Sequence, residues 1–121
     1  MKLLSIGLIL LVSCSSIRCS NENEDSPSPV CDEATRTEAT YQVEVSEILF
    51  QNCTYCHSTE LASGGVVLDT YEDVAVVARN GQLLGAINHT SGFSPMPQNA
   101  PRLPSCEIEI IRLWIENDLP R

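Results

Sequence analysis

The sequence predicts an all-α domain spanning residues 41–121, and three observations lead there. Apolar residues recur at helical spacing in separate stretches between Val45 and Ile115. Asn80-Gly81, Gly92 and a run of prolines from Pro95 to Pro104 punctuate those stretches with turn and stop signals. The chain has 121 residues, which bounds it to one modest core behind a leader and a tail. Only 5% of residues are aromatic while six are cysteine, so covalent or cofactor chemistry is expected to replace part of the side-chain core.

The leader is residues 1–13. Met1-Lys2 precedes an apolar run, Leu3 to Val12, broken only by Ser5 and Gly7, and Ser13-Cys14 follow. This is the layout of a secretory signal peptide. Ten helical residues reach roughly 15 Å, about half the hydrocarbon thickness of a bilayer, so a comfortable membrane span is not expected. Leu11-Val12-Ser13-Cys14 resembles the lipobox of bacterial lipoproteins. That resemblance implies cleavage before Cys14 and acylation of this cysteine; an ordinary signal peptide with an incidental Cys14 is the alternative. Arg18 before Cys19 makes Cys19 a poor competitor. Several acyl chains, each contributing roughly 0.8 kcal/mol per buried methylene, would hold the protein on its membrane. The sorting rules of that family place Ser15 proteins in the outer membrane. Residues 14–40 are then a lipidated, disordered linker, rich in Ser, Asn, Glu, Asp, Pro and Thr, including Ser26-Pro27-Ser28-Pro29.

In the first helix, Val45, Ile48, Leu49 and Asn52 follow i, i+3, i+4, i+7, so a helix from about Val43 delivers Cys53 at its end. Alternating Tyr41, Val43 and Val45 offer a short strand as the competing reading. Gly64-Gly65 is a turn signal. Asp69 and Thr70 can cap a second helix whose Tyr71, Val74, Ala75 and Ala78 share one face, with Asn80-Gly81 as its stop. Asp69, Glu72 and Asp73 mimic catalytic carboxylates, but their place at a helix start favours capping. A brief helical turn runs from Leu83 to Ile87. Pro104-Ser105 starts the last helix, where Glu107 and Glu109 favour the positive end and Ile108, Ile110, Ile111, Trp114 and Ile115 form a broad apolar face.

Cys53-Thr54-Tyr55-Cys56-His57 is a C-x-x-C-H run, the attachment signature of c-type haem. Two thiols one turn apart can add across the two vinyl groups of a haem, and the adjacent imidazole then lies under the iron. A secreted chain suits this, because c haem is attached outside the cytoplasm. A zinc ribbon would need a second C-x-x-C or a close histidine pair, and a thioredoxin-like pair would need a βαβ setting; neither is present in the sequence. A structural disulfide between Cys53 and Cys56 is the remaining alternative. For the sixth iron position Met96 is the first candidate, because Pro95 and Pro97 hold it on a stiff stretch. His89 is the competitor: it could ligate iron, contact a propionate or cap the preceding helix. Methionine sulfur raises the redox potential relative to imidazole.

With these residues in view, Tyr41 to Pro120 resembles a small class I cytochrome c domain of the kind carried by bacterial lipoproteins. The matching pieces are the helix leading into Cys53–His57, a glycine-bearing middle, the Met96-Pro97 loop, and a last helix with Ile111, Trp114 and Ile115. The resemblance implies that the last helix packs across the first. Two departures stand out. Many members carry a proline after the haem-binding histidine whose carbonyl accepts the Nδ1 proton, and none occurs from Ser58 to Asp69. The lysine ring of mitochondrial relatives is absent as well.

Lipid on Cys14 and haem on Cys53 and Cys56 would leave Cys19, Cys31 and Cys106. In an oxidising compartment Cys31 with Cys106 is the expected disulfide, closing about 75 residues and stabilising by roughly 4 kcal/mol; Cys19 with Cys31 is the second option. The expected protein is an electron carrier rather than an enzyme, holding one covalent haem c in the bacterial cell envelope, on the periplasmic side or outer membrane. The net charge of −9 excludes an electrostatic nucleic-acid binder and predicts redox partners with basic docking patches. The domain could also serve as a subunit of a larger redox complex. A haem-based gas sensor with a displaceable sixth ligand, or a haem-free interaction lipoprotein, are the rival readings.

Overall fold

The structure is a computed structural model and describes residues 37–121. The leader, Cys14, Cys19, Cys31 and the linker up to residue 36 lie outside the described residues. Helix and turn account for all regular structure among the described residues, so the fold is all-α.

Tyr41 to Asn52 form one continuous helical segment, which starts as a π turn over Tyr41–Val45 and continues as α1 over Ser46–Asn52. The wide turn is closed by Val45 N–H donating to the Thr40 carbonyl, five residues back, at 3.2 Å. Glu44 reaches back to the amide of Thr40 at 2.7 Å and to its hydroxyl at 3.1 Å, which satisfies a donor at the helix start. The strand-like alternation at Tyr41, Val43 and Val45 is therefore not used: Val43 is exposed and Val45 is fully buried on the helical face that also carries Ile48 and Leu49.

A single 3₁₀ turn at Ser63–Gly65 uses positive φ at Gly64 and Gly65, as the turn signal implied. Helix α2 spans Tyr71–Arg79, α3 Gln82–Ile87 and α4 Ser105–Glu116. Thr70 caps α2 by accepting from the Asp73 amide at 3.2 Å. Gly81 at φ 80° makes the sharp corner between α2 and α3, which pack against one another. Helix α4 packs on α3 and on the π turn. The last helix therefore meets the N-terminal helical segment at its π turn.

Trp114, Ile48, Leu49, Ile87, Ile111, Val45 and Val74 are the largest fully buried side chains, so every helix contributes to one core. Tyr41, Tyr71 and Trp114 meet at one end, with ring centroids 5.3 to 6.3 Å apart. The C-terminal residues close that end. Trp114 Nε1–H donates to the Pro120 carbonyl at 2.9 Å, the Tyr41 amide donates to the same carbonyl at 2.9 Å, and the Tyr71 hydroxyl donates to the Leu119 carbonyl at 2.8 Å. The packed unit reaches back past Tyr41, its expected first residue. Ala39 is buried at 1% exposure, and the Thr37 carbonyl accepts from Asn117 Nδ2.

Candidate functional site

Helix α1 ends where the C-x-x-C-H run begins. The amides of Cys53 and Thr54 both donate to the Leu49 carbonyl, at 2.8 and 3.0 Å, and the amides of Cys56 and His57 donate to the Cys53 carbonyl, at 3.1 and 3.0 Å. The backbone thus folds Cys53, Cys56 and His57 into consecutive tight turns that follow directly from the end of α1. Both thiols are free, so the alternative of a Cys53–Cys56 disulfide does not describe this structure. Cys56 is exposed while Cys53 is half-buried. Burial pushes the Cys53 thiol up to about 11, and the Glu107 carboxylate nearby adds to the shift.

Glu107 was legible in the sequence only as a helix-start acid. It does lie in the first turn of α4, but it is buried at 4% exposure, and Asn52 Nδ2 donates to it at 3.4 Å across the junction with α1. Apolar periodicity around it gave no signal that this carboxylate faces inward.

His57 is held from the chain that follows it. Its carbonyl accepts the Leu68 amide at 2.7 Å, and the Cys56 carbonyl accepts the Ser63 amide at 3.1 Å. Asp69, expected as a helix cap, instead reaches across this loop. Its carboxylate accepts the Thr59 amide at 2.7 Å and the Thr59 hydroxyl at 3.0 Å, while Thr70 alone caps α2. The Thr59 amide, with the Thr59 hydroxyl assisting, holds the Asp69 carboxyl below the usual carboxylate range even though burial works the other way. Glu72 bonds Arg121 and Asp73 bonds Thr70, so the acidic group at the start of α2 is structural.

His57 Nδ1 is shut off from solvent with no hydrogen-bond partner. The sequence offered no proline carbonyl after His57 to pair with this nitrogen, and no other group takes that place among the described residues. Beside this loop a cleft of about 300 Å³ opens between Gly65, Val66 and Val67 on one side and Asp73, Val76 and Val77 of α2 on the other. One wall of the cleft is therefore tethered to the Cys53–His57 turn through the Ser63 and Leu68 amides.

The Met96 loop is held to α3. The Met96 amide donates to the Ala86 carbonyl at 3.1 Å, and the Thr90 amide donates to the Gly85 carbonyl at 2.9 Å. Phe93 packs directly onto Gly85, where a Cβ would stand 2.5 Å from the ring. His89, exposed and at φ 56°, puts its Nε2 3.1 Å from the Met96 carbonyl. Of the roles weighed for His89, none anticipated a bond to the Met96 backbone. Met96 itself is half-buried.

The site residues thus fall into two groups, Cys53, Cys56 and His57 on one turn and His89 with Met96 on one loop. No hydrogen bond joins the two groups among the described residues. The first is tied to the start of α2 and the second to α3, and these helices are neighbours. Cys106 is disulfide-bonded, and Cys31, expected as its partner, lies outside the described residues. Among the described residues no three His, Cys, Asp or Glu side chains gather as a metal site of their own, and no helix is long and apolar enough to cross a membrane. No protein family, no curated protein and no solved structure matches this chain.

Proposed function

We propose that this protein is a membrane-tethered monohaem c-type cytochrome that carries single electrons between redox partners outside the cytoplasm. The observation that carries the reading is the Cys53-x-x-Cys56-His57 run at the end of α1, with both thiols free although Cys106 is disulfide-bonded. The fit to haem rests on this donor set. The thiols of Cys53 and Cys56 and the imidazole of His57 supply the attachment and ligand chemistry that a c-type haem needs, and no described residue engages the buried Nδ1 of His57. In this reading Cys53 and Cys56 would anchor the haem covalently, and His57 and Met96 would hold its iron. Covalent haem, when bound, supplies a reversible one-electron iron couple.

The chain's own residues then do three things. The Leu68 amide and the Asp69–Thr59 clasp fix the backbone of His57 and of the loop that follows it, which would set where the imidazole is offered to iron. The Met96 loop is pinned to α3 by the Ala86 carbonyl and by Phe93 on Gly85, so the thioether is offered with little freedom to lose. Acidic residues exceed basic ones by 9, which draws partners with basic patches at rates that fall with salt. The lipid on Cys14 would keep the domain at the membrane, with the linker giving it reach.

The test is haem staining and intact-mass measurement of the denatured protein after expression with c-haem maturation machinery. Thioether-bound haem stays with the polypeptide, so the wild type stains and gains the mass of one haem. Cys53→Ser combined with Cys56→Ser loses both. A wild-type chain that remains unstained and at its polypeptide mass would overturn the reading and favour a haem-free interaction lipoprotein.

A further inference from the structure

We propose that His89 is a positioning residue for the sixth ligand, holding Met96 by donating a hydrogen bond from Nε2 to the Met96 carbonyl. The inference rests on Met96 being an axial ligand, and it concerns what keeps that ligand in place. A carbonyl oxygen can only accept, so at 3.1 Å the proton of the imidazole must lie on Nε2. This bond occupies the nitrogen that would otherwise compete with Met96 sulfur for iron.

The Met96 backbone is consequently gripped from both sides. Its amide donates to the Ala86 carbonyl at 3.1 Å and its carbonyl receives His89, whose own amide donates to that same Ala86 carbonyl at 3.1 Å. Both backbone polar groups of Met96 are thus satisfied by the end of α3, and only the side chain is left to reach elsewhere. A histidine that merely ended the helix would turn its ring to a carbonyl of α3. Here the ring spans seven residues to the ligand loop instead. Its φ of 56° belongs to the left-handed region, which histidine and asparagine enter more readily than most side chains, and this conformation carries the ring back over the loop.

The experiment uses the full-length, haem-loaded ferric protein as wild type, His89→Asn, His89→Gln and Met96→Ala. Each is titrated with imidazole while the methionine sulfur-to-iron charge-transfer band is followed. Imidazole binds only molecules from which the sulfur has left, so its apparent affinity scales with that fraction. Asparagine keeps the positive φ but stops short of the Met96 carbonyl, and glutamine restores a donor of nearly the original reach. The expected result is an apparent imidazole affinity roughly threefold to tenfold higher in His89→Asn, the consequence of one lost hydrogen bond, and a return toward wild type in His89→Gln. Equal affinities in His89→Asn and wild type would overturn the inference while leaving Met96 as ligand, provided the wild-type band is lost in Met96→Ala. A wild type without that band overturns the ligand assignment, and the role of His89 falls with it.

Discussion

Asp69 shows how a residue's neighbours, rather than its position along the chain, decide its work. It stands next to the helix cap, yet it spends its carboxylate on Thr59, ten residues back, and so closes the loop that holds His57. Because its folded-state pKa is lowered, its contribution to stability is present above the ordinary carboxylate range and is lost as the pH falls through the folded value. Asp69→Asn should therefore melt below wild type at neutral pH, and the gap should close on acidification; thermal unfolding at a series of pH values reads this directly. Gly85 makes a second residue-scale case. Alanine is the better helix former by up to about 1 kcal/mol, but its Cβ would stand 2.5 Å from the Phe93 ring, where overpacking costs roughly 1–3 kcal/mol. Gly85→Ala is expected to be less stable than wild type, and Phe93→Ala should recover part of the loss in a double-mutant cycle; additive effects would show that the two residues do not press on each other.

At the scale of elements, much was legible because helical periodicity marks buried faces directly. Val45, Ile48 and Leu49 in the first segment, Val74, Ala75 and Ala78 in α2, and Ile108, Ile110, Ile111 and Trp114 in α4 are all buried as their spacing required. Boundaries marked by proline, glycine and threonine were equally readable: Thr70 caps α2, Gly81 turns the corner and Pro104 precedes α4. What the sequence hid were contacts between distant segments, such as Asn52 with Glu107, Asp69 with Thr59, and His89 with the Met96 carbonyl. No period or local spacing encodes these, since each depends on where two loops or helix ends arrive after packing. The π turn is a milder case: i to i+5 closure at Thr40 and Val45 moves the register by one residue, which a search for regular α-helix does not anticipate. Trp114 tests how firmly α4 is set. Its full burial predicts a loss of about 3–5 kcal/mol for Trp114→Ala. Trp114→Phe keeps most of the packing but deprives the Pro120 carbonyl of one donor, at about 1 kcal/mol. Denaturant unfolding with an unchanged slope separates the two values.

For the whole molecule, the geometry builds a frame in which two short loops are each fastened to a helix: the Cys53–His57 turn through the start of α2, and the Met96 loop through α3. If haem is bound as proposed, loops fixed in this way would limit rearrangement on electron transfer. Among the described residues His57 Nδ1 has no acceptor, and in the proposed haem protein such an imidazole would donate less strongly to iron and, together with methionine sulfur, would favour a higher potential. The central proposal is that His57 and Met96 would hold the iron, and one measurement addresses it most directly. It is the absorption spectrum of the haem-loaded protein, ferric and ferrous, with carbon monoxide added to the ferrous form, for wild type and Met96→Ala. The account predicts a ferric methionine charge-transfer band that vanishes in Met96→Ala, and a wild-type ferrous spectrum that carbon monoxide leaves unchanged. A wild-type protein that lacks the band and shifts on adding carbon monoxide would contradict it and point to an open, ligand-binding haem.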